Sequence, residues 1–181
     1  TLAFHEPGID MRLYSAKVPV IARDIIKQLV DDGDIEVANG DEATLDIEAV
    51  LKEYVRLDRE ITEQTKDILE SRKLPHGAFG KVKRAVADEK GFGLGEEAIA
   101  WICNQLIETF MHSQFIEEVY ATDAELRRKM KTLLHKHMMV DEELDVEVRK
   151  RIRNMQEGTS NWDVEYGKVM DQIRRKRGIK D

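Results

Sequence analysis

Residues 21–30, IARDIIKQLV, and residues 99–108, IAWICNQLIE, follow one pattern at two places in the same chain. In the first, Val18, Ile21, Ala22, Ile25, Ile26 and Leu29 recur at the spacing that lines up one face of an α-helix. In the second, Ile99, Ile102, Cys103, Leu106, Ile107, Phe110 and Met111 do the same. Ser15 is the expected N-cap of the first helix and Gly33 its stop. A helical fold follows from these two segments, and their likeness raises the question of a repeat.

Working outward, each segment is followed by further amphipathic stripes in the same order. Ile47, Val50, Leu51, Tyr54 and Val55 form one, and Ile61, Thr65, Ile68 and Leu69 form the next after an expected break near Asp58. Phe79, Val82 and Val86 make a short fourth. After EKGFGLGEE come Met130, Leu133, Leu134, His137 and Met138, opened by Thr122 and Glu125 at capping-box spacing. Leu144, Val148 and Ile152 follow, then Trp162, Tyr166, Val169, Met170 and Ile173 behind Ser160 and Asp163, again at capping-box spacing, with Gly178 at the end. LDREI at 57–61 matches VDEEL at 140–144, and GKV at 80–82 recurs at 167–169, each time behind an aromatic residue. The expected fold is all-α, about eight amphipathic helices in two related four-helix units. The boundaries are a loosely ordered leader at 1–10, a first unit at 11–90, a Gly-rich linker at 91–95 and a second unit at 96–181 with a basic C-terminal helix. Met11 is a candidate natural start. A single eight-helix domain without internal symmetry is the alternative.

MRL at the start of the first unit, VRLDREI, VDEELDVEVRKRI and EGTSNWDVEYGKV with its basic ending together resemble the bacterial family catalogued as domain of unknown function 507, in a doubled form. The resemblance covers residues 11–178, and its most specific part is Glu157 through Asp163 with Tyr166. It implies a small helical bacterial protein, and no catalytic residues, because the family supplies none.

Composition narrows the function classes. The chain is 36% charged and carries a net charge of −7, which disfavours nonspecific binding of nucleic acid or anionic membrane by the molecule as a whole. That charge is uneven: residues 31–70 hold fourteen Asp/Glu against four Lys/Arg, and residues 149–181 hold ten Lys/Arg against five Asp/Glu. One cysteine, Cys103, excludes an internal disulfide and suits a reducing cytoplasm. No apolar run approaches the roughly 20 residues of a membrane span.

The motifs that could carry chemistry fall short of it. His135 and His137 are two apart, so on a helix they point away from each other and cannot share one ion. His137 falls on the apolar stripe where the first unit has Tyr54, and both are expected in the structural core with Trp162 and Tyr166. LPHGAFGKVK superficially looks like a phosphate loop, but Pro75 stands at the first glycine position and Val82 replaces the hydroxyl residue. The acidic runs lack a calcium-loop pattern and suit solvated faces and helix N-termini. No catalytic residue, metal site or cofactor is indicated, no small-molecule substrate is evident, and the chain is read as non-enzymatic.

The cationic end remains. Arg174, Arg175, Lys176 and Arg177 occupy a last helical turn, where positive charge meets the negative end of the helix dipole. Four consecutive cations, with Lys180 beyond, exceed what capping needs. Lys81, Lys83 and Arg84 form a weaker counterpart in the first unit. The sequence therefore points to an interaction protein that docks through charged helix faces, with a protein partner or a second copy. The acidic helices around 41–63 are the other half of that surface. The alternative is an RNA- or ribosome-associated factor that uses the basic helix.

Overall fold

The computed structural model describes residues 9–157 and 159–178; Gly158, Lys180 and leader residues 1–8 of the sequence expectations lie outside them. A short strand, β1 (Ile9–Met11), and a 3-10 turn (Ser15–Lys17) lead into α1 (Val18–Asp31). Pro19, in the first turn of α1, needs no hydrogen-bond acceptor there, so the helix starts at Val18 with Lys17 as its N-cap residue. Ser15 is thus not the cap; its Oγ donates to Asp163 at 3.4 Å. Strand β2 (Ile35–Val37) follows, then α2 (Gly40–Ser71), whose N-cap Asn39 accepts from the amides of Asp41 and Glu42.

Helix α2 runs through Asp58 without the expected break. No glycine or proline lies between Val55 and Ile61 to force one, and Arg56 bridges to Glu53 and Glu60 along the helix. The chain then passes a second 3-10 turn (His76–Ala78) into α3 (Phe79–Glu89), crosses the glycines and enters α4 (Glu97–His112). Gly91 and Gly95 both have positive φ, +65° and +59°, a backbone that a side chain would strain. Next come β3 (Ile116–Val119), α5 (Asp123–Met138) behind the expected Thr122–Glu125 capping box, β4 (Met139–Asp141), α6 (Glu142–Arg151) and α7 (Ser160–Lys176). Helix α7 is capped by Thr159, which accepts from the Trp162 amide at 3.2 Å; Ser160, the expected cap, is already inside the helix.

The architecture is mainly helical, with seven α-helices among the described residues and two antiparallel ribbons that the all-α expectation omitted. In one ribbon Ile35 faces Val119 and Val37 faces Ile116, with a bulge between Glu36 and Val37. In the other Ile9 faces Asp141 and Met11 faces Met139. These strands are three or four residues long, too short for alternation to announce them.

Helix α1 packs on α2 and α5, and α4 packs on the same two, so four helices close around one core. Ile21, Ile25, Leu29, Ile47, Leu51, Ile102, Leu106, Leu126, Met130 and Leu134 are at its centre, all fully buried. This core draws side chains from both sides of the Gly91–Gly95 segment. A second, smaller core holds Leu144 and Val148 of α6, and Ile152 just past its end, against Trp162, Tyr166, Met170 and Ile173 of α7, with Tyr14 from the N-terminal segment inserted. The α1 and α4 stripes are buried as their spacing predicts, except that Met111, at the end of α4, is 54% exposed.

Candidate functional site

The segment singled out as most specific, Glu157 to Tyr166, takes part in a network of aromatic and charged side chains. Trp162 and Tyr166, one turn apart on α7, stack with ring centroids 5.0 Å apart. Arg12, from the N-terminal segment, lies over both rings, 4.5 Å from Trp162 and 4.8 Å from Tyr166, and Arg149 approaches Trp162 at 5.3 Å. The Tyr166 hydroxyl donates to Asp145 at 2.5 Å, and Arg149 donates to both Asp145 and Glu157 at 2.8 Å. Burial, then the bond to Asp145, pushes the Tyr166 hydroxyl well above the usual phenol range. For Glu157 burial favours the neutral acid, but the bond from Arg149 and the charge of Arg12 outweigh it and hold the carboxyl below its ordinary value. The Arg149 guanidinium, half-buried, is likewise kept charged by Glu157 and Asp145 against the cost of burial.

Asp163, nearly buried, reaches out of this cluster to Arg59 of α2 at 2.5 Å. That contact ties α7 to the middle of α2 across a cleft of about 510 Å3. Arg12, Arg59, Lys66, Lys83 and Arg149 line it beside Asp58, Glu157 and Asp163, over Tyr54, Val55, Phe79 and Leu94. Lys83 pairs with Asp58 at 2.9 Å, and Arg12 reaches Glu157 only at 3.6 Å.

A second concavity, of about 430 Å3, runs between α2 and α4. Ala49, Val50 and Trp101 supply its apolar surface, Asp46 and Glu53 its charge, and Gln105, Thr109, His112 and Ser113 its far side. Ser113 donates to Asp46 at 2.5 Å. Leu45, one turn before Ala49, is 53% exposed.

The predicted basic residues divide. Arg174 is half-buried, with Nη2 3.5 Å from the Met139 carbonyl oxygen, and Arg177 bonds to Glu147 of α6. Lys83 faces the cleft, and Arg84 lies 4.0 Å from Glu97. Arg175, Lys176 and Lys81 are exposed. The two patches are therefore not seven equivalent cations, because part of each is engaged by the protein's own carboxylates and carbonyls.

The aromatic and histidine positions expected in the core are all inward. Tyr54 stacks on Phe92 at 4.8 Å and donates to the Gly93 carbonyl; Trp162 and Tyr166 are 3% and 0% exposed. His137 lies against α1 with Nε2 2.7 Å from Asp24. Cys103 is buried, and burial pushes its thiol up to about 11. Among the described residues no three His, Cys, Asp or Glu side chains gather as a metal site, and no helix is long and apolar enough to cross a membrane.

These features define a helical protein with a charged aromatic cleft, and the chain belongs to a known family. It is a member of DUF507, described as a protein of unknown function, whose model matches residues 11–179. No curated protein matches the chain.

Sequence reasoning did not assemble Arg12, Arg59, Asp145, Arg149 and Asp163 into one place, since Arg59 and Asp163 are 104 residues apart. The available signal was the Glu157–Asp163 segment itself: its acids and aromatics are the ones that collect these cations.

Proposed function

We propose that the chain is a non-enzymatic interaction protein of the bacterial cytoplasm that binds a protein partner through the groove between α2 and α4. The observation that carries this is the groove's composition. Two carboxylates, Asp46 and Glu53, flank an apolar strip of Ala49, Val50 and Trp101, and among its described lining residues there is no Lys or Arg. A floor of this kind suits an amphipathic helix or extended segment that carries Lys or Arg beside apolar anchors. The acidic surface belongs to the helix region 41–63, and the exposed Leu45 extends the apolar strip.

In this proposal the chain is a doubled family unit, residues 11–90 and 96–181 joined at 91–95. Three pairings support it. IARDIIKQLV pairs with IAWICNQLIE, β2 follows α1 as β3 follows α4, and Phe79-Gly80-Lys81-Val82 of α3 matches Tyr166-Gly167-Lys168-Val169 of α7.

The second reading, RNA or ribosome binding through the basic helix end, is favoured by the exposure of Arg175, Lys176 and Lys81. One experiment separates the two. The protein is used as bait in native lysate, with and without nuclease, beside an Ala49→Arg variant and a variant with Arg175 and Lys176 changed to Gln. The proposal expects nuclease-resistant protein bands that are lost with Ala49→Arg and kept with the Gln variant. Bands that ignore Ala49→Arg sink it, and material that vanishes with nuclease or with the Gln variant promotes the second reading.

A further inference from the structure

Charge is sorted along the chain, and the groove between α2 and α4 falls where cations are missing. Residues 28–51 and 91–126 hold no Lys or Arg, and every lining residue of the groove except Glu53 comes from them. Lys52 and Arg56 pair with Glu48 and Glu53. With both counted, residues 40–56 and 97–112 together still hold seven Asp or Glu against two Lys or Arg. Asp46 takes its bond from the neutral hydroxyl of Ser113, so its charge stays uncancelled. Electrostatic complementarity asks for a cationic occupant.

The opposite sorting occurs at the far end of α2. Residues 71–87 hold no Asp or Glu and five Lys or Arg. Lys83 and Arg84 are taken by Asp58 and Glu97. The side chains of Arg72, Lys73 and Lys81 have no hydrogen bond or ion pair among the described residues. Counting Asp67 and Glu70 near the end of α2 still leaves this tip positive. Residues 70–77 are all exposed, the apolar Leu74 among them. Lys73 has φ +52°, whereas every other positive φ in the described chain belongs to a glycine. That backbone strains a lysine, and glycine would relieve it at the loss of the side chain alone. The Leu74 amide donates to the Leu69 carbonyl at 2.9 Å, which closes α2 and fixes the tip.

Resting on the groove reading above, we propose that the occupant of the groove is a second copy of this chain. It docks the Arg72-Lys73-Leu74-Pro75 tip, with Leu74 on the strip of Ala49, Val50 and Trp101 and the two cations towards Asp46 and the acids around it. The tip has the composition the groove calls for, cations beside an apolar anchor. It cannot fill its own groove. Helix α2 is unbroken, and at about 1.5 Å per residue Arg72 lies about 33 Å along it from Val50. The contact is therefore made between chains.

Sedimentation of the full chain over a concentration series, at low and high salt, tests this. Association that grows with concentration and weakens with salt is expected. Ala49→Arg blocks the groove and keeps the tip, while Arg72→Glu with Lys73→Glu blocks the tip and keeps the groove. Each alone should associate about tenfold more weakly, and an equimolar mixture of the two should recover a heterodimer. Lys73→Gly should melt no lower than the parent and still associate more weakly, which a merely structural lysine would not do. Circular-dichroism melts check that each variant folds. A monomer at every concentration overturns the second-copy assignment; the groove reading then stands or falls on the bait experiment, whose bands would have to be other proteins. Association untouched by the tip variant, or a mixture of folded variants that fails to recover it, overturns the assignment as well.

Discussion

Helices α3 and α7 carry the same local motif, an aromatic residue followed by Gly-Lys-Val, but the two glycines meet different surroundings. A methyl group added at Gly167 would lie 2.6 Å from Ala16 Cβ, 2.6 Å from Tyr14 Cε2 and 2.9 Å from Tyr14 Cδ2. One added at Gly80 would meet nothing within 4 Å. The favourable distance between carbon atoms is about 3.5–4.0 Å, so Gly167→Ala demands that something retreat by about 1 Å. Tyr14 cannot retreat cheaply: it is 3% exposed and packs edge-on against Tyr166 at 5.6 Å. Overpacking of this sort costs about 1–3 kcal/mol, and the buried ring places this case near 3. Alanine gains back about 1 kcal/mol of helix propensity, leaving a net loss of about 2 kcal/mol. Gly80→Ala has the propensity term without the clash, reduced in a first turn to a gain of about 0.5 kcal/mol. In a chain of this size the Gly167 variant should melt about 4–8 °C below the parent, and the Gly80 variant at or slightly above it. Urea denaturation followed by circular dichroism measures both. A Gly167→Ala protein as stable as the parent would refute the reasoning. So would failure of the combined Tyr14→Ala, Ala16→Gly background to make Gly167→Ala neutral or stabilising, because that background removes every atom in the clash.

Three further outcomes are expected. The folded-state carboxyl of Glu157 lies below its ordinary value, so its contribution to stability is present above about pH 4.3 and is lost as pH falls through the depressed value. Glu157→Gln should therefore flatten the acid limb of the urea midpoint measured from pH 3 to 7, and parallel limbs would contradict the Arg149–Glu157 pairing. Tyr166 is shifted the other way. Its protonated form is favoured by the fold, so its contribution is complete below about pH 10 and fades as pH rises beyond it. Tyr166→Phe should lose part of the fall in melting temperature between pH 9 and 11, and an unchanged fall would place the alkaline sensitivity elsewhere. Cys103, buried with its thiol pushed up to about 11, should ignore a thiol-reactive disulfide reagent at pH 8 and react at once in denaturant; rapid modification of the native protein would show that α4 opens readily.

Periodicity alone made most of the helices legible, because burial on one face writes itself into residue spacing. Ile21, Ile25 and Leu29 of α1, and Ile102 and Leu106 of α4, are the core residues that the spacing names. Capping chemistry was legible too where a side chain satisfies backbone amides locally, as Thr122 and Glu125 do for α5. What sequence could not decide were the choices that depend on distant partners. LDREI and VDEEL are near-equivalents in letters, yet the first lies within the unbroken α2 while the second meets β1, and β4 interrupts the helix there. Local propensity is almost the same in both, so the pairing with β1 separates them. Asp163 was legible as a first-turn acid, but only the packing of α7 beside α2 gives it Arg59. Arg12 likewise has no sequence neighbour that hints at Trp162, and its place over that ring exists only once the N-terminal segment inserts Tyr14 against α7. Spacing along the chain determined which faces are apolar; tertiary structure decided which faces meet and so where the charges collect, because electrostatic contacts depend on distance in space and carry no period in sequence.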